Sequence, residues 1–216
     1  MEKFTVLTSV AAPLPEADID TDIIFPARFL LLLDKAGLGK HLFHERRHAP
    51  GGAATDFVLN MPPFDRASIL VADANFGSGS SREQAVWALA DFGIRCVIAP
   101  SFGEIFYSNC FKNGVLPIVL TGETHENTMA AAHTAQPFTI DLEHQTVMLP
   151  NGPAIRFEID PYRRRALLLG LDEIGGILAD DAEAIAAYEK KQRRQTPWSF
   201  LDDGRLDQIF AREGAE

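Results

Sequence analysis

Cysteine is scarce in this sequence. The chain of 216 residues contains two cysteines, Cys96 and Cys110, and they do not form a Cys-x-x-Cys pair. An iron–sulfur cluster is held by several thiolates, so this chain alone cannot supply the ligands for one. Cys96 begins a predicted apolar strand, and Cys110 lies inside a predicted helix. We therefore predict two structural thiols and no disulfide, as is usual in a reducing compartment.

Long apolar runs and an excess of positive charge are also missing. No apolar stretch approaches the length of about 20 residues that crosses a membrane, and Met1-Glu2-Lys3 does not open a secretory signal. The net charge of −10 does not suit a nucleic-acid partner, because phosphate neutralisation requires a basic face. We therefore expect a cytoplasmic protein that binds neither nucleic acid nor membrane.

The most informative stretch is residues 75–83, Asn-Phe-Gly-Ser-Gly-Ser-Ser-Arg-Glu, which we call the central turn. The apolar run before it, 69–72, predicts a buried strand, and the periodic run after it, 85–92, predicts a helix. The turn's glycines permit backbone angles closed to other residues. Ser80 and Glu83 have the spacing of a capping box, which predicts Ser80 as the N-cap of the helix.

The central turn is also a candidate anion site. The N–H groups that begin a helix point out of the turn, together with the positive end of the helix dipole. Arg82 adds a planar fork that suits a carboxylate or a phosphate. Two glycines, three serines and an arginine exceed what capping requires, so we predict that this turn binds an anion.

The rest of the chain predicts mixed parallel and antiparallel strands, because strand–helix–strand around the central turn implies a parallel βαβ unit and Asn151-Gly152 favours a hairpin. Strands are predicted over 4–10, 23–27, 57–59, 69–72, 96–99, 116–120, 138–142, 146–149 and 154–159, and helices over 85–92, 103–113, 125–133, 161–169 and 180–192. We expect an α/β domain over 1–170 and a helical extension over 171–216. Residues 196–216 either fray or pack on a partner.

Two segments have residue types that bind metals. Residues 18–22 contain three aspartates, but the glycine and distal glutamate of a calcium-binding loop do not follow, and we favour capping and turn roles. His41, His44 and His48 could place two imidazoles on one helix face, but a zinc site needs further ligands and none is evident. We therefore predict packing or surface histidines, and no metal site.

Residues 28–37, Arg-Phe-Leu-Leu-Leu-Leu-Asp-Lys-Ala-Gly, form a second segment of interest, which we call the leucine loop. One interpretation is a single buried helical turn. The other is an apolar wall that lines a ligand pocket. Both remain open from the residues alone.

Several motifs together resemble a known family. The central turn, followed by Pro100–Phe106 and Asn109, resembles the swivel domain of the aconitase superfamily. Two earlier motifs, Asp20–Ala27 and Gly37–Phe43, narrow the resemblance to the small subunits of 3-isopropylmalate dehydratases, over roughly residues 1–192. The resemblance implies a swivelling β/β/α barrel-like domain with C-terminal helices. It also implies one half of a hydro-lyase of leucine biosynthesis.

The resemblance further implies a division of roles. A large subunit would carry a [4Fe–4S] cluster, this chain would bind no cofactor, and the pair would isomerise 2-isopropylmalate and 3-isopropylmalate through a dehydrated intermediate. Ser80 would be the catalytic base, working as an alkoxide, and Asp20 and Asp22 would order their loop. The hydroxy-dicarboxylate substrate would be bound by Ser81, Arg82, Gly79, Asn75, Lys35, Leu31 and Leu32. Lys35-Ala36-Gly37 departs from the Arg-Thr-Gly of many relatives.

Three alternatives remain open. A related hydro-lyase could act on citraconate or dimethylmalate. A nucleotide-binding module would suit Gly77-x-Gly79 after a strand, although Arg82 stands where the third glycine of the dinucleotide fingerprint belongs. A serine hydrolase would suit the strand–turn–helix pattern, but Gly-x-Ser-x-Gly does not occur there.

Overall fold

Seven β-strands form one mixed sheet in this computed structural model, which describes residues 1–32 and 34–200. The strands are β1 Val6–Leu14, β2 Ile69–Ala72, β3 Cys96–Ala99, β4 Leu116–Val119, β5 Pro137–Asp141, β6 Thr146–Met148 and β7 Ala154–Arg156. Their order across the sheet is β4-β3-β2-β1-β5-β6-β7, and the sheet curls into a half-barrel. β1 to β4 pair in parallel, whereas β1 and β5 to β7 pair antiparallel. The predicted fold class is confirmed.

The described residues contain seven α-helices, and several short 3-10 turns. The helices are α1 Thr21–Ile24, α2 His44–Arg47, α3 Glu83–Phe92, α4 Glu104–Lys112, α5 Gly122–Ala132, α6 Pro161–Leu169 and α7 Glu173–Gln195. α3 connects the neighbouring parallel strands β2 and β3, which confirms the predicted βαβ unit. α3 and α6 end at Gly93 and Gly170, where left-handed φ angles of 109° and 71° are favourable for glycine.

Both faces of the parallel part of the sheet are covered. All four residues of β2 are fully buried, and they alternate between two separate apolar clusters. Leu70 and Ala72 pack in the cluster that contains much of α3, whereas Ile69 and Val71 pack with β4 and β5 residues. A strand buried on both faces is apolar at every position, which is why a continuous apolar run predicted β2 correctly.

The first strand continues past the predicted end at Val10, because β1 changes partner along its length. Residues 6–10 pair antiparallel with β5, and residues 11–14 pair in parallel with β2 on the other side. Pro13 has no strand beside it on the β5 side, so its missing N–H breaks no hydrogen bond between strands. The strand therefore runs through Pro13 to Leu14, past its predicted end at Val10.

Several other predicted elements were wrong in type or extent, among them the strand predicted over 154–159, which ends at Arg156, and the helix predicted over 125–133, which begins at Gly122. Residues 23–27 form the end of α1 and a turn rather than a strand, because the Asp20 carboxylate accepts a hydrogen bond from the Ile23 N–H, at 2.8 Å, and begins a helix. Residues 57–59 belong to the 3-10 turn Val58–Asn60 instead of a strand. The helix predicted to begin at residue 180 is α7, which begins at Glu173.

The chain divides into two compact units, Met1–Glu173 and Ile174–Glu216. The described part of the second unit is α7 beyond Glu173 and the short turn Pro197–Ser199. The prediction that residues 196–216 fray or pack on a partner falls, beyond Phe200, outside the described residues. In the part of the chain that the structure describes, no helix is apolar enough over a sufficient length to cross a membrane.

Candidate active site

The central turn follows β2, and on one side it is bound by residues 18–22. The Gly77 N–H donates to the Ile19 carbonyl at 2.7 Å, and the Thr21 N–H donates to the Ser78 carbonyl at 2.9 Å. The Thr21 hydroxyl donates to the Ser80 carbonyl at 3.0 Å. The aspartate segment, predicted to have capping and turn roles, therefore also holds the turn in place.

On its other side the central turn is bound by residues 101–103. The Phe76 N–H donates to the Ser101 carbonyl at 3.1 Å, and the Gly103 N–H donates to the Phe76 carbonyl at 2.9 Å. A Cβ atom on Gly77 would overlap the ring of Phe106, and one on Gly103 would overlap the Gly77 carbonyl. Only glycine allows these two segments to approach so closely, so the turn has one tightly defined backbone path.

Asn75 contributes to the same scaffold. Its backbone is left-handed, with φ of 61°. Its side-chain amide donates to the Asp18 carboxylate at 2.7 Å, and its N–H donates to the Ser101 hydroxyl at 2.8 Å. Gly79 is exposed, with φ of 86°, next to Asp20. The predicted substrate contacts of Asn75 and Gly79 remain predictions, and the observed contacts of Asn75 are structural.

The side chain of Ser80 is exposed, and it does not cap α3. The helix begins at Glu83, its N-cap is Arg82, and no side chain accepts a hydrogen bond from its first turn. Among the described residues the hydroxyls of Ser80 and Ser81 have no hydrogen-bond partner. The predicted capping box was wrong, and both hydroxyls lie open at the positive end of a helix.

Arg82 is the charged group beside these serines. Its side chain is 14% exposed and forms an ion pair with the Asp22 carboxylate. The hydrogen bond and charge of Arg82 hold the pKa of Asp22 below its ordinary value, despite an opposing effect of burial. The structure therefore holds the Arg82 guanidinium in an ion pair with a carboxylate, one and two residues along the chain from the exposed hydroxyls of Ser81 and Ser80.

Glu83 has long-range partners in place of the predicted capping partner. Its carboxylate oxygen Oε1 accepts from Asn113 Nδ2 at 2.8 Å and from Trp87 Nε1 at 3.2 Å. Asn113 Oδ1 in turn accepts from Lys35 Nζ at 3.0 Å. Lys35 is thus connected to the last residue of the central turn. The sequence did not show the two bonds of Asn113, because their partners are 30 and 78 residues apart along the chain.

Two leucines of the leucine loop face solvent. Leu31 is 89% exposed and Leu32 is 40% exposed. The interpretation as one buried helical turn was therefore wrong, since the described 3-10 turns here, Ala27–Phe29 and Gly39–His41, lie before and after these leucines. Leu33, the last residue of the leucine run, lies outside the described residues. The alternative, an apolar wall for a ligand, stays a prediction.

The histidines near this loop form an aromatic stack. The ring of His41 stacks on Phe29 with centroids 4.0 Å apart, and His44 stacks on His48 at 4.6 Å. Burial, followed by nearby positive charges, lowers the pKa of both His41 and His44 below the ordinary value of 6.5. These ring contacts agree with the predicted packing role of the histidines.

Neither cysteine suits an iron–sulfur cluster. Cys96 and Cys110 are fully buried in the two different apolar clusters. Burial raises the pKa of both thiols well above the ordinary value of 9.0, whereas cluster ligands are thiolates. Within residues 1–32 and 34–200, no three histidine, cysteine or acidic side chains converge as a metal site. The residues of this chain therefore do not fit a cluster.

Comparisons with known proteins agree on one family. Residues 1–123 match the Aconitase C-terminal domain, 129–161 match LeuD_N, and 180–202 match the C-terminal domain of the 3-isopropylmalate dehydratase small subunit. The 3-isopropylmalate dehydratase small subunit of Rhodospirillum centenum is 54% identical over 93% of this chain and 100% of its own length. The same-named protein of Gluconacetobacter diazotrophicus is 55% identical over 92% of this chain and 97% of its own length.

A solved structure supports the same assignment. The crystal structure of a 3-isopropylmalate dehydratase (leuD) from Methanocaldococcus jannaschii aligns with a TM-score of 0.60 and 26% identity, over 85% of this chain and 99% of that one. The motifs that suggested the resemblance, in the central turn and before it, lie within the matched residues 1–123. The chain therefore belongs to the family of 3-isopropylmalate dehydratase small subunits, within the aconitase superfamily.

Proposed function

We propose that this chain supplies the proton-transfer half of a 3-isopropylmalate dehydratase active site, with Ser80 as the base and Arg82 as the carboxylate anchor. The observation that carries the proposal is the state of Ser80. Its hydroxyl is exposed and has no hydrogen-bond partner among the described residues, while its carbonyl is bound by Thr21. The backbone of Ser80 is thus held in place by a hydrogen bond, and its hydroxyl is available to react.

The surroundings of Ser80 suit a developing negative charge. A serine hydroxyl is too weak an acid to lose its proton in water, so an alkoxide requires stabilisation. The first N–H groups of α3, which no side chain caps, and the guanidinium of Arg82 provide positive potential at this point. In the proposed reaction the Ser80 alkoxide takes a proton from the carbon beside the one that carries the hydroxyl, and the hydroxyl leaves to give the dehydrated intermediate. In the hydration half Ser80 Oγ gives a proton to the carbon that lost the hydroxyl, and water supplies the hydroxyl to the other carbon.

Arg82 is proposed to bind one carboxylate of the hydroxy-dicarboxylate substrate. A planar guanidinium can form two parallel hydrogen bonds with a carboxylate, and its ion pair with Asp22 fixes the plane of the fork. Ser81, with its exposed and unbonded hydroxyl, is placed to donate to the same carboxylate. Gly79 leaves room for the substrate there, since its position carries no side chain.

The proposal includes a partner. We propose a large subunit that carries the [4Fe–4S] cluster, because the reaction class requires such a group and the thiols of this chain do not fit it. When bound there, the cluster would act as a Lewis acid on the substrate hydroxyl. We also propose that the two subunits work in the cytoplasm, and that neither is active alone.

The other functions lack a supporting observation. In the described residues no histidine lies within hydrogen-bond distance of Ser80 Oγ, so the nucleophile of a serine hydrolase would have no base. Arg82 pairs with Asp22 at the position where a dinucleotide site needs a close-packed glycine. We therefore propose neither.

The test compares Ser80→Ala, Arg82→Lys and the control Ser108→Ala, each reconstituted with the same large subunit. Ser80→Ala should lower kcat by at least about 10²-fold and leave the melting temperature unchanged, because its hydroxyl bonds to nothing in the described part of the chain. Arg82→Lys should chiefly raise KM, since lysine has no planar fork. Near-normal kcat in Ser80→Ala would refute the assignment of the base.

A further inference from the structure

Lys35 joins the leucine loop to two helices through a short series of polar contacts. Its ammonium donates to Asn113 Oδ1 at 3.0 Å and lies 4.7 Å from the centre of the Trp87 ring. Asn113 Nδ2 donates to Glu83 Oε1 at 2.8 Å, and Trp87 Nε1 donates to the same oxygen at 3.2 Å. The series ends at Glu83, three residues after Ser80 along the chain.

The orientation of the Asn113 amide is determined by its partners. Its Nδ2 atom donates to two acceptors, Glu83 Oε1 and the Asn109 carbonyl at 3.0 Å. Its Oδ1 atom therefore has to face the ammonium of Lys35, which can only donate. Asn113 is also the C-cap of α4, so the acceptor for Lys35 is attached to a rigid element.

The leucine loop is fixed on both sides of its exposed leucines. Before them, Phe29 stacks on His41 with centroids 4.0 Å apart. After them, Lys35 bonds to Asn113, and the Gly37 and Gly39 N–H groups donate to the Asp91 carboxylate at 3.1 and 2.7 Å. Of these anchors Lys35 follows the leucines most closely, so it controls where their exposed side chains are presented.

We propose that Lys35 is a positioning residue, which holds the leucine loop against the start of α3 through Asn113 and Glu83, and is not itself a ligand of the substrate. The inference rests on the proposed function, because it deepens the account of how that site selects its substrate. It replaces the direct substrate contact that the sequence suggested for Lys35. A flexible chain with three donors, lying over an indole ring, suits this role.

The first experiment is a double-mutant cycle in the reconstituted enzyme. Lys35→Ala, Asn113→Ala and the double variant are compared for kcat/KM on 2-isopropylmalate and on a malate with methyl in place of isopropyl. Each single variant should reduce the preference for isopropyl by about 3- to 10-fold, and the double variant should be no worse, because the two residues act through one contact. Lys40→Ala, an exposed lysine nearby without a described bond, is the control.

Direct binding of the substrate by Lys35 predicts a different pattern. Lys35→Ala would then raise KM equally for both substrates, which share their carboxylates, and Asn113→Ala would behave like the wild type. That pattern would overturn the proposal. Lys35→Arg should retain most of the preference if the contact with Asn113 is what matters, since arginine also donates to an amide oxygen.

A second experiment needs no activity. The chain has two tryptophans, Trp87 and Trp198, so Trp198→Phe leaves Trp87 as the only one. In that background Lys35→Ala should change Trp87 emission because it removes the ammonium beside the indole, and Asn113→Ala should change it because it removes the oxygen that holds this ammonium in place. Lys40→Ala should not change the emission. No change with Asn113→Ala would overturn the proposal. If the reconstituted wild-type enzyme does not turn over isopropylmalate but Trp87 emission changes in these variants, the proposed function is wrong and the contact between Lys35 and Asn113 is still supported.

Discussion

The central turn and the leucine loop are two parts of one proposed site, and they are held in opposite ways. Backbone hydrogen bonds from residues 18–22 and 101–103 bind the turn, and glycines allow the close approach. Side chains bind the loop, and its leucines are exposed. Backbone bonds survive most substitutions, whereas side-chain bonds depend on residue identity. We infer that the proposed catalytic groups of the central turn are preorganised, whereas a few side-chain substitutions are enough to change the leucine loop.

The largest expected effect comes from breaking the backbone support of the central turn. In Gly103→Ala the new Cβ atom would overlap the Gly77 carbonyl, so the turn must move. We expect kcat/KM of the reconstituted enzyme to fall by about 10²-fold, because a displacement of about 1 Å in a catalytic group has that cost. Overpacking should also lower the free energy of unfolding by about 1–3 kcal/mol, measured by urea denaturation.

The matched control for this substitution is Gly152→Ala. Gly152 lies between β6 and β7, and a Cβ atom there would meet Leu149 at an ordinary contact distance of 3.5 Å. Its variant should therefore resemble the wild type in both measurements. If Gly103→Ala matched this control, the turn would tolerate movement, and the contrast with the leucine loop would disappear.

The contrast between turn and loop also explains what sequence patterns could predict. β2, β3 and α3 were predictable because an apolar run and a terminal glycine are local signals. The hydrogen-bond partners of Ser80 and Glu83 were not predictable. Their spacing is that of a capping box, but in the structure both residues bind other partners. Thr21, 59 residues away, holds the Ser80 carbonyl, and Asn113 holds the Glu83 carboxylate. Local spacing lists the bonds a residue can make, and tertiary neighbours decide among them.

Residues 18–22 show the opposite case. The local capping signal was correct, but the apolar residues after it favoured a strand and led to a wrong prediction. Capping and turn roles were predicted for residues 18–22, yet residues 23–27 were predicted as a strand because they are apolar. The cap prevailed over that preference and began α1. The pairing of Arg82 with Asp22 was beyond sequence reasoning, since nothing local brings positions 60 residues apart together.

The leucine loop should respond to substitution in specificity and not in stability. Leu31→Ala removes an 89% exposed side chain, so the free energy of unfolding of the isolated chain should change by less than about 0.5 kcal/mol. If the loop reads the alkyl group, the reconstituted enzyme should lose about 10-fold in its preference for isopropyl over methyl, measured as a ratio of kcat/KM.

Val6→Ala is the control, because Val6 is also apolar and 57% exposed but lies in β1. It should leave both the stability and the preference unchanged. An unchanged preference in Leu31→Ala as well would show that this leucine does not contact the substrate, and the apolar wall would then have to be built from other residues.

The smallest expected effect concerns the stack that supports the loop. His41 and His44 are neutral more readily than free histidine, because burial lowers both pKa values below 6.5. The charge of Lys40 lowers the pKa of His41 further, and the charges of His48 and Arg28 lower that of His44. The unfolded chain therefore binds protons that the folded chain rejects. Stability from this source is complete above about pH 6.5, and it declines as the pH falls toward the folded-state pKa values.

His41→Phe should reduce this pH dependence without dismantling the stack, because a phenyl ring can still lie on Phe29. The melting temperature of the wild type should drop more between pH 7.5 and 5.5 than that of the variant, by about 2 °C, since 1 kcal/mol corresponds to about 2–4 °C in a chain of this size. His133→Gln, which alters an exposed histidine outside the stack, should keep the wild-type difference. If the melting temperatures of all three proteins fell equally, protonation of His41 would not destabilise the folded chain. The stack beside the leucine loop would then be insensitive to pH.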